Sequence, residues 1–160
     1  MILTCISIIA VPAIGALAQN TWGGKDGEAW LLGLGSKNPL INVLLYDHLF
    51  PDERRLEIVA LNKDCTNEAQ HHNTSTQYKA AAAEVEHYSI EDWADRLYEV
   101  LKARRHATAT RDRHMVFICH STGGIVVKAA LSKQIDGQSN ELMTKCIAVT
   151  FMAVPHHGRS

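Results

Sequence analysis

The sequence predicts an α/β fold in which a parallel sheet is flanked by helices. Four near-continuous apolar runs, bounded by turn residues, predict strands: Ile2–Val11, Ile41–Tyr46, Met115–Cys119 and Lys145–Val154. Runs without polar alternation are typical of strands whose two sheet faces are both covered by helices. Helical segments lie between the runs, and strands alternating with helices form parallel sheets through right-handed crossovers. The 160 residues fit one domain, 1–160, with the 115–119 strand expected between the first and the last strands.

The first apolar run has two interpretations. Residues 2–18 carry no charge, and Ala16-Leu17-Ala18 resembles a signal-peptidase site. However, no Lys or Arg precedes the run, and Pro12 and Gly15 interrupt it, so it is short for a membrane span. We expect a buried strand followed by a loop, because the downstream pattern requires a strand there. The alternative is a secreted protein that loses its first 18 residues and this strand with them.

The next elements follow from local patterns. Leu56–Leu61 is either a fifth strand or a loop, and residues 62–79 are polar and predict a surface loop. An amphipathic helix is predicted over Glu84–Arg105, because apolar residues recur at helical spacing after Ser89-Ile90-Glu91-Asp92, which resembles a capping box. Further helices are predicted over Gly123–Lys133 and Trp22–Leu32, and a turn at Asp136-Gly137.

Composition excludes several classes of function. The net charge of −1 gives no electrostatic basis for nucleic-acid binding, and the basic residues between Lys102 and Arg113 fit a helix C-terminus complemented by cations. None of the four cysteines forms a C-x-x-C pair, which argues against a zinc site or a thioredoxin-like motif. Three of them lie in apolar runs, which favours a reducing compartment. No phosphate-binding G-x-x-x-x-G-K-[ST] run is present in the sequence.

One motif points to chemistry. Cys119-His120-Ser121-Thr122-Gly123-Gly124 lies between a predicted strand and a predicted helix and nearly matches G-x-S-x-G, the nucleophile elbow. The sharp turn from strand to helix requires small residues two before and two after the serine, and Cys119 replaces the first glycine. The serine then lies at a helix N-terminus, which favours a developing oxyanion. The alternative is a Ser-Thr-Gly-Gly turn that only caps a helix.

Three segments together resemble the serine-active-site-containing, lipase-like group of the α/β-hydrolase superfamily. They are residues 8–15 followed by Asn20-Thr21-Trp22, residues 117–128, and residues 151–160, which include Pro155-His156-His157-Gly158. The resemblance implies an α/β-hydrolase-like sheet, no metal or organic cofactor, and hydrolysis of an ester, with lipids among the candidate substrates. It also implies an intracellular location, with the mitochondrion and the endoplasmic reticulum as candidates, and leaves membrane association open.

By position, the resemblance implies Ser121 as nucleophile and the backbone N–H groups of Ile14 and Thr122 as the oxyanion hole. Two departures bear on activity. Pro12-Ala13 stands where the family has His-Gly, and the chain reaches Ser160 before any residue that matches the family's catalytic acid and histidine. We therefore expect a truncated hydrolase domain with an incomplete triad that is weakly active or inactive. The alternative is a non-catalytic remnant or interaction module of a larger multidomain protein.

The remaining histidines are weaker candidates. His156 or His157 is a potential substitute base, although a structural role in a loop is the favoured interpretation. His120 is expected to pack, Asp47-His48 to form a turn or surface, and His71-His72 to be solvated rather than to bind a metal.

Overall fold

A computed structural model of the chain describes residues 6–16, 18–23, 31, 41–45, 57–59, 88–108, 110–135 and 137–156. The strands in these residues are β1 (Ile6–Val11), β2 (Ile41–Leu45), β3 (Glu57–Val59), β4 (His114–His120), β5 (Gln134–Ile135), β6 (Gln138–Ser139) and β7 (Cys146–Met152). The helices are α1 (Ala18–Trp22), α2 (Ile90–Ala107), α3 (Gly123–Ser132) and α4 (Glu141–Lys145).

The main sheet has the strand order β3-β2-β1-β4-β7. β1 is parallel to both β2 and β4, and β4 is parallel to β7. This confirms the prediction that the four apolar runs share one parallel sheet with the 115–119 strand between the first and the last. β3 adds an antiparallel strand at the β2 edge, so the run at 56–61 contains a strand rather than only a loop.

Several boundaries differ from the predictions for local reasons. The last strand begins at Cys146 rather than Lys145, because α4, capped by the Asn140 side chain, runs directly into it. It ends at Met152, where Ala153 adopts a φ of 51°. The helix predicted to begin at Trp22 is also wrong at its start, since Trp22 ends α1; residues 24–30 lie outside the described part of the chain.

Helix α2 begins later than predicted because Ser89 caps it. The Ser89 N–H donates to Asp92 Oδ2 at 2.8 Å, and the Asp92 N–H donates to Ser89 Oγ at 3.1 Å, which completes the predicted capping box. Tyr88 and Ser89 therefore precede the helix, while 84–87 lie outside the described residues. α3 ends at Ser132, one residue before the predicted end, with Lys133 as its extended C-cap.

Both faces of the sheet carry buried clusters. Helices α2 and α3 cover one face, where Leu97 and Val127 join Phe117 of β4 in the larger cluster. The smaller cluster joins Ala10 and Val43 of the sheet to Trp22 and Leu31. Within the described residues, helices thus flank a largely parallel sheet, which is an α/β arrangement.

Strand β7 forms an edge of the main sheet and is largely exposed. Ile147 is 55% exposed and Met152 41% exposed. No helix in the described part of the chain is long and apolar enough to cross a membrane. The predicted surface loop at 62–79 lies outside the described residues, and so does Asp136; Gly137, with a φ of 75°, lies between the paired strands β5 and β6.

Candidate functional site

Ser121 lies at the point where β4 ends and α3 is about to begin. Its φ is 51°, a left-handed conformation that a non-glycine residue adopts only when its surroundings enforce it. The residue is partly buried, which leaves part of its surface accessible. The prediction that Ser121 occupies a strand-to-helix turn with unusual backbone dihedrals is therefore confirmed.

The glycines after Ser121 are required by close backbone packing. A Cβ at Gly123 would lie 2.1 Å from the Pro12 carbonyl oxygen and 2.7 Å from that of Val11. A Cβ at Gly124 would lie 2.4 Å from a methyl group of Val154. Gly123 thus lets the loop after β1 lie directly against the first turn of α3, and Gly124 does the same for the segment after β7.

The chain on each side of the turn is also held by hydrogen bonds. The Ser121 N–H donates to the Met152 carbonyl at 3.0 Å, which continues the β4–β7 pairing past the end of β4. The Gly124 N–H donates to the Ser121 carbonyl at 3.1 Å. These bonds, together with the packing at Gly123, supply the constraint that the positive φ of Ser121 requires.

The two residues expected to form an oxyanion hole meet at this turn. The Ile14 N–H donates to Thr122 Oγ1 at 2.9 Å, joining residues 108 positions apart. Thr122 is the N-cap of α3, and its side chain makes no capping hydrogen bond to that helix. The Thr122 N–H belongs to the helix N-terminus, where amides lack intrahelical acceptors and the macrodipole favours negative charge.

Cys119, which replaces the first glycine of the motif, is an inert neighbour of Ser121. Its side chain is fully buried in β4, and burial raises the pKa of the thiol to about 12. The thiol therefore stays protonated at neutral pH, and since only the thiolate is a good nucleophile, Cys119 is not a candidate nucleophile at this turn.

Two histidines in the described residues lie near this edge of the sheet. His120 packs edge-on against Trp22, with 6.4 Å between the ring centroids, as expected for a packing residue. The Nδ1 atom of His120 and the Nε1 atom of Trp22 are buried without a hydrogen-bond partner.

His156 instead packs against α3. Its Nδ1 lies 2.5 Å from Lys128 Nζ, and its ring contacts Phe151 edge-on at 5.0 Å. In the described part of the chain no residue makes a hydrogen bond with the Ser121 hydroxyl, so no base for it is identified there. His157, Asp47-His48 and His71-His72 lie outside the described residues.

One of the basic residues between Lys102 and Arg113 has a structural role. Arg105 is 3% exposed, and its Nη2 donates to the carbonyls of Arg111 and Arg113. Burial is the main cause of the lowered pKa of its guanidinium. Arg105 thereby joins the end of α2 to the turn that leads into β4, a contact that counting basic residues did not reveal.

No group of three or more His, Cys, Asp or Glu side chains in the described residues is arranged to hold a metal ion. Comparison with known proteins gives no match to a protein-family model, a curated protein or a solved structure. The chemical interpretation therefore depends on the geometry around Ser121.

Proposed function

We propose that this chain carries the nucleophile part of a serine hydrolase domain of the α/β-hydrolase type, which acts on esters, with lipids among the candidate substrates. The observation that supports this most is the φ of 51° at Ser121, between an interior parallel strand and a helix. The start of a helix does not by itself require this strain, because α2 begins after an extended Ser89 and neither Ser89 nor the residue before it has a positive φ.

The proposed reaction starts with attack of Ser121 Oγ on the ester carbonyl carbon. The C–O π pair moves onto the carbonyl oxygen, and the serine proton passes to water. The oxyanion forms next to the Thr122 N–H at the start of α3, where the helix dipole favours it. Collapse of the tetrahedral intermediate expels the alkoxide, which takes a proton from water to become the alcohol, and hydrolysis of the acyl-serine by water restores Ser121.

Slow turnover is expected of this site. A serine hydroxyl without an adjacent base is a weak nucleophile. A triad enzyme that has lost a member still accelerates its reaction about a thousandfold to ten-thousandfold over water, through the oxyanion hole and binding. We therefore expect activity above the uncatalysed rate but far below that of a complete triad.

The test is hydrolysis of an activated short-chain ester by the purified chain, by Ser121→Ala and by Ser132→Ala, which removes an exposed hydroxyl at the far end of α3. We expect slow hydrolysis that Ser121→Ala lowers, because it removes the acyl-serine route, and that Ser132→Ala leaves unchanged. Rapid turnover that depends on Ser121 would contradict the incomplete triad and imply a local base.

The second candidate is a non-catalytic interaction module. The exposed apolar side chains of edge strand β7, Ile147 and Met152 among them, favour it, because such a strand can pair with another chain. Equal rates at the buffer background for the chain and for Ser121→Ala would support this alternative and contradict the hydrolase proposal.

A further inference from the structure

The Thr122 hydroxyl is used in an unusual way. A threonine at an N-cap ordinarily accepts a hydrogen bond from an N–H of its own helix. Thr122 has helical dihedrals instead, with φ −60° and ψ −22°, and makes no such bond. Its Oγ1 accepts the Ile14 N–H from the loop after β1, at 2.9 Å.

This contact determines which hydrogen-bond donors are available to an oxyanion. The Ile14 N–H points at Thr122 Oγ1, so it is already engaged before any substrate arrives. A backbone N–H has one proton, and sharing it between two acceptors weakens both bonds. The hydroxyl of Thr122, in contrast, still has its own proton to donate after accepting from Ile14.

We propose that the Thr122 hydroxyl is itself a catalytic donor to the oxyanion. It acts beside the Thr122 backbone N–H, while the Ile14 N–H holds and polarises the hydroxyl from behind. A hydroxyl that accepts a hydrogen bond becomes a better donor, so the order Ile14 N–H, Thr122 O–H, oxyanion forms a cooperative chain. This inference rests on the proposed function, because it assigns a role at the same serine.

The opposite role makes a different prediction. If the Thr122 hydroxyl only occupies the place of the substrate oxygen, removing it frees the Ile14 N–H and improves oxyanion binding. If it is a donor, removing it weakens binding. The sign of the effect of one substitution therefore distinguishes the two roles.

The test uses phenylboronic acid with the full chain, because formation of its serine adduct at equilibrium does not depend on a catalytic base. The Ser121 oxygen donates a lone pair to the trigonal boron, the hydroxyl proton leaves to buffer, and a tetrahedral boronate anion results. One of its two hydroxyl oxygens, which carry part of the negative charge of the anion, takes the position of the oxyanion. Boron NMR reports the change from trigonal to tetrahedral boron and gives the Kd.

We expect a tetrahedral adduct with the chain and none with Ser121→Ala. Thr122→Val, which keeps the shape but lacks the hydroxyl, should weaken binding by at least about tenfold. Thr122→Ser should bind within about threefold of the unchanged chain, because it retains the donor. Melting curves and circular dichroism of each variant establish that it is folded.

A measurement on the unchanged chain covers the case in which Thr122→Val does not fold. On adduct formation the amide proton of Thr122 should shift strongly in the NMR spectrum, and that of Ile14 only weakly. Equal or tighter boronate binding by Thr122→Val, or a shift at Ile14 as large as at Thr122, would overturn the donor role. Absence of any adduct with the unchanged chain would instead overturn the proposed function on which it rests.

Discussion

At the scale of single residues, the turn at Ser121 is defined by steric exclusion of a side chain at Gly123. The Pro12 and Val11 carbonyls leave no room for a Cβ at Gly123, and neither carbonyl is part of a flexible side chain. The small residues of the motif thus have a specific cause, the direct approach of the β1 loop to α3. The sequence pattern predicted this turn correctly because the close approach excludes large side chains, and the size of each side chain can be read from the sequence.

Gly123→Ala should severely destabilise the chain, because relief of a 2.1 Å contact requires a backbone shift. We expect a loss of about 3 kcal/mol or more in the free energy of unfolding. Gly137→Ala is the matched control, because Gly137 has a positive φ but open space around it, and we expect a loss of about 1–2 kcal/mol there. Urea unfolding measures both, and equal losses would contradict the packing argument.

Other contacts of the site could not be predicted from the sequence. The bond from Ile14 to Thr122 joins positions 108 apart and depends on the rotamer of one side chain. The bond from the Ser121 N–H to the Met152 carbonyl depends on the register of β7, which contains an irregularity near its start. Neither a rotamer nor a register is encoded in local composition, so both became apparent only in three dimensions.

At the scale of helices and strands, strong sequence patterns predicted the correct type of element, whereas weaker patterns predicted incorrect boundaries. The Ser89 capping box starts α2 at Ile90, although the apolar and charged residues before it had extended the prediction back to Glu84. Helix α4 and the short strands β5 and β6 were not predicted, because two to five residues are too few to show a period. A cap thus locates a helix end better than periodicity does.

Ser89→Ala should lower the stability of the chain by about 1 kcal/mol at neutral pH, because it removes the N-cap of α2. The hydrogen bonds that Ser89 donates from its side chain and its backbone are the main cause of the lowered pKa of the Asp92 carboxyl, whose ordinary value is 3.8. A carboxyl whose pKa is lowered by folding stabilises the fold at pH values above its ordinary pKa. This contribution is lost as the pH falls through the lowered pKa. The difference in the free energy of unfolding between Ser89→Ala and the unchanged chain should therefore become smaller below about pH 4.

Denaturant unfolding between neutral and acidic pH measures this effect, with Ser132→Ala as the control for loss of an exposed hydroxyl. A cost for Ser89→Ala that does not vary with pH would show that the Asp92 carboxylate takes no part in the cap.

At the scale of the whole molecule, the sheet arrangement was largely predictable from sequence. Near-continuous apolar runs separated by helices permit few topologies, and the observed order places β4 between β1 and β7, as expected. Strand β7 lies at the edge of this sheet. Its outer edge has no strand partner within the described residues, and Ile147 and Met152 face solvent there.

Exposed apolar edge strands associate, so we expect the purified chain to self-associate as its concentration rises. Ile147→Lys should shift it towards the monomer, because a charge on an edge strand opposes pairing. Ser132→Lys adds the same charge at the end of α3 and should have little effect. Sedimentation velocity over a concentration series makes the comparison, and a chain that is monomeric throughout would contradict the expectation.

We propose that the fold makes Ser121 a nucleophile, and labelling with a fluorophosphonate tests this proposal. The serine oxygen bonds to phosphorus, fluoride leaves, and the proton passes to buffer. Peptide mass mapping then compares modification of Ser121 with that of Ser132, which is exposed but lies at the other end of the same helix. We predict preferential, saturable modification of Ser121 that is lost when the chain is unfolded in urea. Modification of Ser132 as fast as that of Ser121, or none at Ser121, would contradict the claim.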